Sequence, residues 1–422
     1  MRKKLTDAFR EVDRLQPSDE LWQNAQERAF ADSPADVEQR LDSLPAWRRI
    51  AVIVTTFGLV LVVGGALLRD AVPQRGEGGA ETPAVQLDPL RDLPYGWTEL
   101  PSPPDVRSGA VTAWTGSHLI VWGGYVYTGY GNETPLNGGF ILDPVSGDRE
   151  SIAPSPLDPR AFPAWAWTGE ELVVWGGWDL VNRFFSDGAS YSPATQEWTL
   201  LSDARLSARA PLFAWTGHEL IVWGSNVRSG TAGPEGAAFD PSTRTWRALA
   251  ESPLNLTEAS VAWTGQEVVM LGAKLDSENA SSTKVAVGAT YDPVANRWRL
   301  LPDSALSPQA SSIAWNGQKV VAWDYLGRAQ SILPAEGEWS RPVDVPIQPG
   351  ECVPNSINVN GEILGEYCGQ FVLFREDAWE REDLPLRGAI VSLIEANETA
   401  LIASRDLESG ETRLLAFRPR QS

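Results

Sequence analysis

The sequence predicts an all-β fold, a seven-bladed β-propeller, and three observations carry that prediction. One segment recurs: AWTGSHLIVWGG from Ala113, AWTGEELVVWGG from Ala166, AWTGHELIVWGS from Ala214, AWTGQEVVMLGA from Ala262 and AWNGQKVVAWDY from Ala314. Self-similarity at a period of about fifty residues marks an array of small identical units, of the kind that forms propeller blades. Each unit then reads as four short strands divided by turn signals. Finally, the array is incomplete at its C-terminal end and carries a spare strand at its N-terminal end.

The unit from Arg209 to Leu249 shows the parts. ARAPLFAW is an apolar first strand, and TGHE is a turn in which Gly217 supplies a positive φ. LIVWG is a second, strongly β-prone strand. The polar, Gly-rich SNVRSGTAGPE is a loop. GAAFDP is a third strand ending in an Asp-Pro turn, with Pro241 fixing φ at the second turn position. TRTWRAL is a fourth strand carrying Trp246. Third strands end likewise at Asp143-Pro144, Ser192-Pro193 and Asp292-Pro293, and fourth strands carry Trp198, Trp298, Trp339 and Trp379. Tyr191, Phe239 and Tyr291 each precede their tryptophan at a fixed distance, so each pair can pack between neighbouring blades.

Five turns are plain, at Gly116, Gly169, Gly217, Gly265 and Gly317. A sixth lies at Asn360-Gly361 and a degenerate seventh at Asn397. The seventh unit stops at RLLAFRP, a third strand. YGWTEL, with Trp97, reads as a fourth strand placed ahead of the first unit. The N-terminal strand is therefore expected to complete the last blade and close the ring, which removes its open edges.

Ahead of the propeller, assigned to residues 94–419, come three further segments. Ile50–Leu68 is apolar on every face and spans ~28 Å as a helix, the thickness of a bilayer's hydrocarbon core. It sets a membrane span at 47–69, with Trp47 at the interface. Nine Lys and Arg residues precede the apolar run Ile50–Leu68, and only Arg69 and Arg75 lie in the twenty residues after it. That bias predicts a cytoplasmic N-terminus and an extracytoplasmic propeller. Residues 1–46 read as a cytoplasmic tail of short amphipathic helices, with Leu21 and Trp22 on one apolar face. Residues 70–93, rich in Gly, Pro and Glu, read as a flexible linker.

Composition removes several classes of function. The formal net charge of -20 argues against a nucleic-acid partner, because phosphates would be repelled. The two histidines, His118 and His218, both follow an AWTG turn at a solvent-facing hairpin tip, so no histidine-rich metal centre can form. The nineteen tryptophans fall mostly at repeat positions and are accounted for as core aromatics, without a cofactor. No HExxH, Ser-His-Asp or Walker-type pattern occurs.

The apolar strand, the double glycines Gly123-Gly124 and Gly176-Gly177, and the aromatic and Trp at fixed distance resemble the kelch repeat. The resemblance covers about Pro94 to Pro419. Later units depart from it, with Gly224-Ser225, Gly272-Ala273 and Asp324-Tyr325 in place of the double glycine. It implies a propeller, and a role either as a binding module or as a carbohydrate-active enzyme of the kelch-propeller type. Galactose oxidase, an enzyme with a kelch-like propeller, needs copper-binding histidines that this chain does not supply, so the expectation is a non-enzyme with no cofactor and no metal. The partner expected is a protein, peptide or glycan on the loop face. The layout of tail, single span and outer domain also resembles that of bacterial anti-sigma factors. That implies a third role, signalling through a cytoplasmic protein bound to the tail, although the zinc-binding His and Cys of many such tails are absent.

Candidate site residues follow from the blade pattern. Long loops rich in Tyr, Asn, Ser and Gly share one face, and Tyr125, Tyr127 and Tyr130 lie in the first of them. Arg107, Arg160 and Arg209 begin successive first strands and should ring the mouth of the central channel. Two readings stand: a guanidinium cluster for a carboxylate or phosphate ligand, or pairing of each arginine with an Asp or carbonyl of a neighbouring blade. Cys352 and Cys368 flank the Asn360-Gly361 turn, nearly opposite each other on adjacent strands of blade six. Outside the cytoplasm they can form a disulfide, and buried free thiols are the alternative.

Overall fold

The computed structural model describes residues 88–126, 133–224, 235–274, 285–308, 311–348, 350, 352–384, 389–406 and 409–420. The expected tail, membrane span and residues 70–87 of the linker lie outside the described residues. No helix long and apolar enough to cross a membrane occurs among the residues described, and the run Ile50–Leu68 is not among them.

Seven antiparallel sheets stand in a ring. Their innermost strands are Ser108–Trp114, Ala164–Trp167, Leu212–Trp215, Leu256–Trp263, Ser311–Trp315, Asn355–Val359 and Ala389–Ala396. Each packs beside the next, and the last packs beside the first. Alternating side chains of each strand point to opposite neighbours. The apolar core is therefore distributed as seams between blades: Val111, Ala113 and Trp122 of blade one meet Leu172, Val174 and Tyr191 of blade two, and the pattern repeats around the ring.

Closure falls in blade seven. Gly96–Leu100 pairs with Thr412–Arg418, placing Trp97 opposite Phe417 with ring centroids 4.5 Å apart. The domain also begins earlier than position 94. Leu90 is fully buried between blades seven and one, beside Leu119, Leu142 and Ala396, and Asp88 caps its N–H at 2.9 Å.

The aromatic repeats make the seams. Tyr191, Phe239, Tyr291 and Phe374 lie directly across from Trp198, Trp246, Trp298 and Trp379. Each of these tryptophans also packs on a second-strand tryptophan of the preceding blade: Trp122–Trp198 at 5.4 Å, Trp175–Trp246 at 5.7 Å, Trp223–Trp298 at 5.9 Å and Trp323–Trp379 at 5.5 Å. Tilted and edge-on pairs of this kind add ~1 kcal/mol each beyond burial. The outer tryptophans further donate Nε1–H to a carbonyl of the preceding blade's margin, from Trp198 to Ala153, Trp246 to Ser202, Trp298 to Ala250 and Trp339 to Pro302, at 2.8–3.0 Å.

The seam between blades six and seven departs from this pattern. Counting back from the hairpin tips, Glu395 stands where Trp114, Trp167, Trp215, Trp263 and Trp315 stand in blades one to five. Glu366 takes the place of the second-strand tryptophan. Glu395 shares a strand face with Leu393, and Glu366 with Leu364, and both leucines belong to the cluster that fills this seam.

Candidate functional site

The ring has two chemically different faces. On one, the hairpin tips of blades one to five are built the same way. Thr115 Oγ1 accepts the His118 N–H at 2.9 Å, and Thr168, Thr216, Thr264 and Asn316 repeat the bond to Glu171, Glu219, Glu267 and Lys319. The turns between third and fourth strands close equally locally: Asp143, Asp240 and Asp292 accept backbone N–H groups two residues ahead. Both histidines sit on this turn face, and Ser117 Oγ lies 2.8 Å from His118 Nδ1. These turns satisfy their own backbone groups.

The opposite face carries the long, dissimilar loops and the three arginines. None of the three lies within an inner strand; each precedes one, in the segment arriving from the blade before. Their side chains turn into their own blade. Arg107 holds Asp105 and the carbonyls of Gly123 and Gly138. Arg160 holds Asp187 at 2.8 Å, the Gly176 carbonyl and the Asp158 carbonyl, with Phe185 stacked 4.0 Å away. Arg209 holds Ser207 and the carbonyls of Gly224 and Glu235. Burial pulls the Arg209 guanidinium below its usual range, and Glu235 opposes that shift.

The backbones of Arg160 and Arg209 meanwhile bond the preceding blade. Arg160 N–H donates to Leu136 O and its carbonyl accepts from Gly124; Arg209 does the same with Phe185 and Gly177. The double glycine gains its physical reason here. Gly123 and Gly176 adopt φ of 68° and 71°, and a Cβ on either would lie 2.9 or 2.8 Å from the arginine carbonyl of the next blade. Arg160 and Arg209 thus each rivet two blades at the base of the loops. A ligand at Arg160 or Arg209 would have to displace these bonds, because both are buried; Arg107 keeps a tenth of its side chain exposed. Blade five solves the same problem by inversion. Asp324, in the glycine position and fully buried, accepts the Ser307 N–H at 2.8 Å and pairs with Arg328 at 2.7 Å.

Of the three tyrosines, Tyr127 and Tyr130 lie outside the described residues. Tyr125 ends the second strand of blade one, half-buried, with its ring 6.2 Å from Phe162. Phe162 holds φ of 54°, donates its N–H to Gly109 O at 2.7 Å, and lays its ring where a Gly109 Cβ would stand. No sequence signal marks Phe162. The loop of blade two is ordered by its own residues: Trp178 and Phe184 pair as a bridge with rings stacked 5.7 Å apart. At its tip Asp179 accepts three backbone N–H groups. Desolvation would raise that carboxyl, but bonds from Arg183, Val181 and Asn182 outweigh it and hold the carboxyl below its usual range. Val181 is left 74% exposed at the tip.

Cys352 and Cys368 are disulfide-bonded, with Cα atoms 5.6 Å apart. Neither lies within a strand, in contrast to the adjacent-strand placement expected from the sequence. Cys352 is in the segment leading into blade six, and Cys368 is in the turn joining its second and third strands. The bond therefore staples that segment to the loop face. Tyr367 supports it by accepting the Gly350 N–H at 2.9 Å, and Gln370 exchanges two bonds with the Gln348 backbone.

Two carboxyls are pushed far above the usual carboxylate range, and both belong to the seam between blades six and seven. Burial pushes Glu366 up to about 7 in spite of an N–H from Gly369, and burial alone pushes Glu395 up to about 8. Glu395 Oε2 is shielded from solvent and has no hydrogen-bond partner among the described residues. No cluster of three or more His, Cys, Asp or Glu able to hold a metal occurs among the described residues.

The strands, their order and their closure define the class: a seven-bladed β-propeller. No protein-family model matches the chain. A search of curated proteins returns no match. Among solved structures, that of YjhT is similar, with 16% identity and a TM-score of 0.49, covering 67% of this chain and 99% of that one. A likeness at that level adds nothing to the architecture read from the strand pairing.

Proposed function

We propose that this chain is a membrane-anchored, extracytoplasmic propeller whose loop face binds a protein, peptide or glycan. The observation that carries the reading is the asymmetry of the two faces. The turn face is made of short repeated turns that satisfy their own backbone groups. The loop face differs from blade to blade and is built on rivets that fix the loop bases, as at Arg160 and Arg209. A rigid scaffold with loops of dissimilar sequence at one end suits recognition, because the scaffold fixes where each loop begins and ends. The kelch-like motif pattern of the sequence supports the same class of role.

The extracytoplasmic placement draws support from two independent features. The Cys352–Cys368 bond belongs to an oxidising compartment. The excess of Lys and Arg before the apolar run favours retention of the N-terminus inside. The alternative role in signalling concerns the tail, which lies outside the described residues.

The test is a glycan and peptide array probed with the propeller from Asp88 onward. Hits should weaken when Val181, Arg183 or Arg107 on the loop face is changed to Ala, and should be indifferent to Ala194→Ser or Val294→Ser on the turn face. Binding lost only through the turn-face changes contradicts the reading, as does turnover of any arrayed glycan.

A further inference from the structure

We infer that the propeller hangs from the membrane by its turn face, so that the loop face is directed away from the bilayer and meets ligands arriving from the water. This deepens the reading above and rests on its membrane anchor.

The geometry comes from the closing strand. Gly96–Leu100 is the outermost strand of blade seven and runs antiparallel to Thr412–Arg418. Gly96 lies level with Arg418, and Phe417 in turn lies level with Ala400, at the Asn397-Glu398 hairpin tip. Arg418 reaches Glu398 at 3.7 Å. The N-terminal end of the closing strand is therefore on the turn face, and Leu100 leads toward the loop face.

The residues just before it are fastened at the same level. Leu90 fills the base of the seam between blades seven and one, against Ala396, Leu119 and Leu142. Arg418 donates to the carbonyls of Arg91 and Leu93, the latter at 2.9 Å. Its guanidinium also lies 5.0 Å over the Tyr95 ring. The chain coming from the apolar run consequently meets the folded domain underneath, at Asp88, and is held there by a buried leucine and a half-buried arginine.

The turn face does not itself suit adhesion to lipid. Glu170, Glu171, Glu267, Glu376 and Asp377 sit at its tips; Arg244, Arg299 and Lys319 pair with Glu171, Glu267 and Asp377, which leaves acidic groups in excess among these tips. Anionic headgroups repel such a surface within a Debye length of ~8 Å. The domain is thus attached at this face without lying on the membrane, and the partner of the loop face is a water-borne ligand and not the bilayer.

The experiment uses the full chain reconstituted in vesicles. Its only two cysteines are bonded to each other, so an introduced cysteine labels alone. Val181→Cys marks the loop face and Ala194→Cys the turn face of the same blade; both sites are exposed, which removes any effect of lateral position. Energy transfer from each label to headgroup acceptors in the outer leaflet should be several-fold higher from position 194, given a height difference of ~20 Å. A second pair, Val294→Cys on the turn face of blade four and Leu326→Cys on the loop side of blade five, should rank the same way. Equal or reversed transfer in both pairs overturns the inference while leaving the anchor intact. A chain that fails to float with the vesicles overturns the anchor, and the inference with it.

Discussion

Replacing Glu395 with Gln should flatten the pH dependence of the propeller's stability. Glu395 is the inner-strand residue that occupies the tryptophan position of blades one to five; its shielded Oε2 has no partner among the described residues, and burial pushes its carboxyl up to about 8. An unfolded glutamate titrates near 4.5. The folded state therefore holds the proton that the unfolded state releases, and stability falls as pH rises from 4.5 toward 8, levelling off above it. At 1.36 kcal/mol per pH unit, the loss on going from pH 4.5 to pH 7 is ~3 kcal/mol, and above pH 9 it reaches ~5 kcal/mol, with local relaxation lowering both figures. The Gln variant cannot ionise, so its denaturation midpoint between pH 5 and pH 9 should fall much less than that of the parent. Urea titrations of the propeller from Asp88 onward, at four or five pH values, measure this. Parallel curves for parent and variant would refute the reasoning, since they would mean that Glu395 is solvated or paired in the folded protein. Glu366→Gln should act in the same direction but more weakly, because its pKa is about 7 and Gly369 already supplies a hydrogen bond.

Three other outcomes are expected. Trp298→Phe should cost more than Trp223→Phe in urea denaturation, by ~1–2 kcal/mol, because Trp298 Nε1 bonds the Ala250 carbonyl whereas Trp223 Nε1 is a buried donor without a partner among the described residues. Arg160→Ala should destabilise by ~3 kcal/mol and Arg160→Lys should recover little of it, since one ammonium cannot serve Asp187, Gly176 and Asp158 together; thermal melts of the two variants decide this. Replacing both cysteines by Ser should lower stability by ~3 kcal/mol, the loop-closure figure for about fifteen residues, and equal midpoints for parent and variant would show that the staple is energetically idle.

Much of the fold was legible because the repeat is physical. A Thr-Gly turn, an apolar second strand and an Asp-Pro turn each force a local geometry, and a missing fourth strand at one end with a spare at the other leaves closure as the way to remove two edges. The aromatic pairs were legible for the same reason, since strand register follows from turn length. The functional face was less so. The arginines precede the inner strands they were expected to begin, and whether a guanidinium points to solvent or into its own blade depends on carbonyls of glycines fifteen or so residues away, which no local pattern encodes. The sequence implies strand positions for the cysteines because the residues around Asn360-Gly361 suggest a hairpin longer at both ends than the one formed; they lie in its connections. Glu366 and Glu395 carry no mark in the sequence because blades six and seven lack the AWTG motif, and only the register shows which column each residue fills. Phe162 and Gly109 form a contact between blades for which composition gives no cue.

The ring closure supports every other conclusion, and a designed cross-link tests it most directly. Thr98 and Ala416 lie opposite each other between the closing strand and the third strand of blade seven. Antiparallel partners have Cα atoms ~5 Å apart, within disulfide range. The double variant Thr98→Cys with Ala416→Cys, oxidised and digested, is expected to yield in mass spectrometry one peptide pair joining these positions within a monomer, with Cys352 still bonded to Cys368. Cross-links formed only between separate molecules, or free thiols at both positions in the folded protein, would contradict a propeller closed by its N-terminal strand.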